Sequence, residues 1–136
     1  AAAIANLKYL IAHDAPGKSK KAGEYFRAGL QKMYDKHPSI GLFAGKGMFW
    51  EVELVKNRET NEPFFEEDRN VSGGEDVTKW PNFIISAKAM EKDVIIKGVA
   101  PNSLRIAASC FVTKEDMDKF FDAFDYALSS LEKTEL

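Results

Sequence analysis

The sequence predicts an α+β fold in two layers, a small, mainly antiparallel sheet covered on one face by helices. Three observations predict it. The chain opens with helical stretches whose apolar residues recur at spacings of three and four. Between Met48 and Val55 the period drops to two. Met48, Trp50, Val52 and Leu54 alternate there with Phe49, Glu51 and Glu53, as in a strand with one face in the core. The chain closes on an apolar-striped helix whose start carries its own cap, Thr113 with Asp116. The order helix, helix, strand, helix, strand, strand, helix suits such a two-layer packing.

Residues 1–13 read as the first helix, with Ile4, Leu7 and Ile11 on one stripe and no Ser, Thr or Asp ahead of it as a cap. It reads as the end of a helix that arrives from preceding sequence. Asp14-Ala15-Pro16-Gly17 breaks it. A second helix is expected from about Lys18 to Lys36, with Ala22, Tyr25, Phe26, Gly29, Leu30 and Met33 on its buried face and His37-Pro38 as its stop. Gly41, Gly45 and Gly47 suggest a bulge or tight turn before the strand at 48–55. Residues 57–79 carry little periodicity and are expected to be a long mobile loop. A third helix follows from Pro81 to about Lys92. Strands are expected at Val94–Lys97 and Ser103–Ala107, and the capped helix carries Met117, Phe120, Phe121, Phe124, Leu128 and Leu131 on its face.

The bulk properties narrow the function. The 136 residues make one domain, 1–136, long enough to hold a core. With 19 basic and 21 acidic residues, no charge excess points to nucleic acid or an anionic membrane as partner. No apolar run approaches the length of a membrane span. The single Cys110 suits a reducing compartment, so the expected location is cytoplasmic.

Several motifs dissolve on inspection. Ala15-Pro16-Gly17-Lys18-Ser19 has the tail of a phosphate-binding loop but Ala12 where its first glycine belongs, and a helix before it instead of a strand. It reads as a helix–helix turn. His13, His37 and Cys110 lack partners at metal-ligand spacing, so no metal is expected. Both histidines sit at helix ends, where a surface histidine is common. Asn70-Val71-Ser72 is a chance glycosylation triplet.

Arg105 stands apart. Between Leu104 and Ile106 in a short strand, it faces away from the core if they face in. A guanidinium held so could grip a ligand carboxylate bidentately. It could equally form a structural ion pair with Glu51 or Glu53 of a neighbouring strand.

Gly45-Lys46-Gly47-Met48-Phe49-Trp50-Glu51-Val52-Glu53-Leu54-Val55-Lys56 resembles the glycine-bounded first strand of the small domain of class III pyridoxal-phosphate aminotransferases. Arg58-Glu59-Thr60 with Pro63 is similar to the segment that follows it, especially in the ω-amino acid:pyruvate and taurine:pyruvate types. Asn102-Ser103-Leu104-Arg105-Ile106-Ala107, then Thr113-Lys114-Glu115-Asp116-Met117-Asp118, resembles the family's closing strand and last helix.

The resemblance implies the C-terminal small domain of a longer enzyme, with residues 1–13 ending the helix that arrives from the large domain. It implies transfer of an amino group between an amine or ω-amino acid and a keto acid such as pyruvate, in a homodimer whose partners are the chain's own large domain and a second subunit. Arg105 then takes the family's arginine position, which in relatives binds a substrate carboxylate or is held by a glutamate of the large domain while other substrates bind. The Schiff-base lysine, ring-nitrogen aspartate and phosphate loop belong to the large domain. No catalytic or cofactor-binding residue is therefore expected within 1–136, and this chain alone should neither hold pyridoxal phosphate nor turn over substrate. Ala44, where many relatives have arginine, and Ala108-Ser109-Cys110, in place of Pro-Pro-Leu, depart from the pattern and bear on substrate subtype. The alternative from another class is a non-catalytic regulatory or interaction domain that binds a small acid around Arg105.

Overall fold

The computed structural model describes residues 2–66 and 76–136. Helix α1 (Ala2–Ala12) runs into α2 (Ala15–Lys36) across a break of two residues. Asp14 makes the break: its backbone is left-handed, at φ 49°, and its side chain accepts from the Gly17 N–H at 3.2 Å. Pro16 sits in the first turn of α2, where its missing N–H leaves no bond unmade. The segment resembling a phosphate loop is thus the start of a helix. α1 buries nothing, and Ile4, Leu7 and Ile11 are all exposed. On α2, Phe26 and Leu30 enter the core as the spacing predicts. Tyr25 does not; it is exposed and donates its hydroxyl to Asp118.

A strand the sequence did not announce comes next. β1 (Ile40–Lys46) pairs antiparallel with β2 (Phe49–Asn57), with a register irregularity between Ile40 and Leu42, around Gly41. The intervening turn depends on Gly47, whose φ of +59° would strain any side chain. Helix α2 crosses this turn so closely that a Cβ on Gly23 would lie 2.5 Å from the Gly47 α-carbon.

Within the stretch expected as a loop, residues 58–61 turn the chain and β3 (Glu62–Pro63) pairs with the end of β2. Val77–Lys79 form one 3₁₀ turn. Residues 67–75, with the Asn70-Val71-Ser72 triplet and most of the acidic run, lie outside the described residues. α3 (Pro81–Met90) leads to β4 (Lys97–Ala100), which begins three residues later than the apolar run Val94-Ile95-Ile96 suggests. β5 (Ser103–Ala107) and α4 (Lys114–Glu135) fall where expected, and α4 carries the full capping box of Thr113 and Asp116.

The sheet order is β1-β2-β5-β4, every neighbour antiparallel, with β3 appended to β2. Helices α2, α3 and α4 cover one face. Trp50, Val52, Leu54, Leu104 and Ile106 point into that layer and meet Phe26, Leu30, Ile85, Phe124, Leu128 and Leu131. Truncating a fully buried residue such as Leu104 to alanine costs about 2–5 kcal/mol. The architecture is the predicted α+β two-layer fold.

Candidate functional site on the uncovered face of the sheet

Because strand residues alternate, packing Leu104 and Ile106 against the helices turns Ser103, Arg105 and Ala107 the other way. The cross-strand register then assembles a row. Ala44 pairs with Glu51, Glu51 with Arg105, and Arg105 with Lys97, so four strands contribute to one line across the uncovered face. The sequence left Arg105 between ligand contact and structural ion pair, and Glu51 is the neighbour it meets.

That contact is loose. Arg105 Nη2 stands 3.8 Å from Glu51 Oε2, with both side chains more than two-fifths exposed. Glu51 Oε1 is occupied separately, accepting from Ser103 Oγ at 2.8 Å. The Phe49 ring lies 5.6 Å from the guanidinium carbon. On the other side Arg105 and Lys97 edge a cleft of about 330 Å³ that runs to the margin of the helix layer, with Ile95, Ile96, Ile106, Ala107, Ala108 and Phe120 of α4 in its wall. Two cations at the rim of an apolar cleft suit a small molecule with a carboxylate at one end and an apolar substituent at the other. Phe49, Lys97 and Ser103 were not singled out in the sequence. Parity with Arg105 and Glu51 along each strand is the signal that would have found them.

Pyridoxal phosphate requires an amine held inside a pocket to form its Schiff base. Among the described residues every lysine is exposed except Lys88, which is half-buried and bound to Glu91 at 2.8 Å on the helix side. The described residues therefore do not fit the cofactor, and no chemical step through it follows from them. Nor do three His, Cys, Asp or Glu side chains among them stand together as metal ligands.

A second polar cluster lies on the helix side, and it corrects the sequence reading of His37. That residue is buried, 2% exposed, and not a surface histidine. Nε2 meets Asp125 Oδ1 at 2.8 Å and Nδ1 meets Glu132 Oε2 at 2.9 Å. Glu132 also accepts from the hydroxyl of fully buried Ser39 at 2.6 Å. Burial works against the charge of Asp125, but hydrogen bonds from Lys36 and His37 outweigh it and hold that carboxyl below its ordinary value. Arg58 completes the corner. Nε donates to Ile40 O and Nη2 to Tyr34 O, both at 2.8 Å, Nη2 also reaches His37 O, and the guanidinium stacks on the Tyr34 ring at 3.9 Å. It closes the carbonyl end of α2. Ser39 Oγ bonds to Glu132 and not to His37, so the cluster is a structural clasp and not a nucleophile with its base. His13 is exposed and stacks on Tyr9 at 3.9 Å.

The fold is an α+β sheet shielded by helices on one face and presenting charged groups on the other. The chain belongs to the class-III aminotransferases, whose profile matches residues 1–128. It is similar to an S-selective transaminase from Arthrobacter sp., solved with alanine bound. The two are 43% identical at a TM-score of 0.88, with 95% of this chain and 28% of that one covered. It is 30% identical over 132 residues to the leucine/methionine racemase of Thermococcus litoralis, which covers 97% of this chain and 27% of the relative. With the taurine–pyruvate aminotransferase of Bilophila wadsworthia it shares 29% identity over 133 residues, 98% of this chain and 28% of the relative. The chain thus spans little more than a quarter of the length of the proteins it matches. The family match favours the aminotransferase reading over a free-standing binding module. Among the described residues no helix is long and apolar enough to cross a membrane.

Proposed function

We propose that this chain is the small domain of a pyridoxal-phosphate aminotransferase that moves an amino group between an amine or ω-amino acid and a keto acid such as pyruvate. In this reading Arg105 binds the substrate carboxylate. One observation carries it: a guanidinium on an inner strand, on the uncovered face, loosely held by its neighbour and edging a cleft of small-molecule size. A strand is a stiffer platform than a loop, so the fork of Arg105 is presented in a fixed direction. The cofactor supplies the electron sink of transamination and is held by the remainder of the enzyme. The domain then acts as a lid, moving as a near-rigid body and excluding water from the closed site. The enzyme works as a cytoplasmic homodimer, with the chain's own large domain and a second subunit as its partners.

The test uses the complete enzyme. Arg105→Lys keeps the charge but loses the planar fork. KM for pyruvate is expected to rise about ten-fold, as for the loss of one charge-assisted hydrogen bond, while KM for an amine donor that carries no carboxylate stays put. Equal kinetics toward both substrates would remove Arg105 from the site. Loss of substrate chirality without consumption of keto acid would replace aminotransfer by racemisation.

A further inference from the structure

We infer that the cleft between α2 and the β1–β2 turn is a binding site for a phosphate monoester carried on a flat apolar ring. It lies apart from Arg105 and shares no lining residue with the cleft beside that arginine.

Charge, shape and rigidity carry it. The cleft holds about 530 Å³, within the range of small-molecule sites. Lys20, Glu24 and Arg27 edge it from α2, four and three residues apart and so in one row along the helix. Lys46 edges it from the turn. Among the described residues none of these four side chains is drawn into an ion pair. Three cations against one carboxylate leave two positive charges in surplus. A phosphate monoester carries about two negative charges near pH 7 and offers three acceptor oxygens, where a carboxylate carries one charge and offers two. Arg27 supplies a planar fork for those oxygens, and the lysines supply point charges.

The inner wall is apolar and bare. Pro16 and Trp50 border it, and Gly23, Gly45 and Gly47 add backbone without side chains, which admits a flat group. The wall is also fixed. α2 meets the turn at the close approach of Gly23 to Gly47, and Trp50 Nε1 donates to Gly47 O at 2.7 Å. The cations are therefore presented from two elements packed against each other, which limits what binding must order.

The experiment titrates the complete enzyme with phenyl phosphate, benzoate and inorganic phosphate by calorimetry. Phenyl phosphate is expected to bind about ten-fold more tightly than either, since benzoate lacks the second charge and inorganic phosphate the ring. Arg27→Gln and Lys46→Gln, on different elements, are each expected to weaken phenyl phosphate by about ten-fold. Lys32→Gln, which removes a cation of the same helix outside the cleft, and Arg105→Gln should leave its affinity unchanged. All four side chains are exposed, so each variant should keep the parent's urea midpoint. Benzoate or inorganic phosphate binding as tightly as phenyl phosphate overturns the inference. So does an affinity for phenyl phosphate that Arg27→Gln and Lys46→Gln leave intact, or one that Arg105→Gln alone abolishes. No saturable binding at all would mark the row on α2 as a solvated helix face and overturn it equally.

Discussion

His37 Nδ1 and Glu132 Oε2 stand 2.9 Å apart although 95 residues separate them in sequence. The contact joins the end of α2 to the last turns of α4, and Glu132 also serves the buried Ser39 hydroxyl. Both ring nitrogens of His37 face carboxylates, and both bonds are made at once only when each nitrogen carries a proton.

Glu132→Ala removes the partner of three buried groups in one step, His37 Nδ1, the Ser39 hydroxyl and the Ser39 N–H. The expected loss is about 2–3 kcal/mol, toward the lower end because Glu132 is itself partly solvated. A urea midpoint within a few tenths of a molar of the parent would show that water replaces the carboxylate there.

Arg58→Lys tests the cap on α2. An ammonium cannot reach the carbonyls of Tyr34, His37 and Ile40 together or stack on the Tyr34 ring as a plane. Destabilisation by about 1.5–3 kcal/mol is expected, read as a lower urea midpoint at unchanged slope. Equal stability would mean that solvent satisfies these carbonyls as well as the guanidinium does.

Gly23→Ala sets two magnitudes against each other. Alanine gains about 1 kcal/mol of helix propensity over glycine. Its Cβ, however, would lie 2.5 Å from the backbone of Gly47, in a turn that cannot yield without losing the Trp50 Nε1–Gly47 O bond of 2.7 Å. Overpacking of this kind costs about 1–3 kcal/mol. Net destabilisation is expected; a rise in Tm would show that the turn moves freely.

Acid stability follows from Asp125, whose carboxyl is held below its ordinary value. A carboxyl depressed on folding contributes stability above its unfolded value, near pH 4, and surrenders it as pH falls through the folded one. Asp125→Asn should therefore lower stability at pH 7 and make the decline below about pH 4 shallower. Parallel acid limbs for the two proteins would assign that decline to other carboxyls.

Much of this fold was legible, and the parts that were not have physical causes. β5 and the β2 core face could be read because Trp50, Val52, Leu54, Leu104 and Ile106 alternate cleanly. α4 declared its start through Thr113 and Asp116. β1 stayed hidden because Gly41, Ala44 and Gly45 dilute its strand preference; pairing with β2 makes it a strand. β4 was misplaced because Gly98 looks like a turn residue. It lies in the ladder, where Asn82 fills the space a side chain would take. Arg105 could be singled out by parity, and which glutamate it meets depends on a register that only the folded sheet defines. His37 could not be read at all. Asp125 and Glu132 lie seven residues apart on one face of α4, but nothing in the sequence says that this face closes over the end of α2.

The turn at Pro101-Asn102 has a consequence for how such a domain can vary. The Asn102 side chain clasps both backbone groups of Phe65, and its carbonyl accepts from the Leu54 N–H, so β5 starts from a fixed point. One residue inserted or removed between that point and Arg105 would exchange the two sides of the strand, sending a cation into the helix layer and Leu104 onto the uncovered face. Length changes here conserve parity or destroy the site. The hairpin can drift in composition, but it counts its residues in twos.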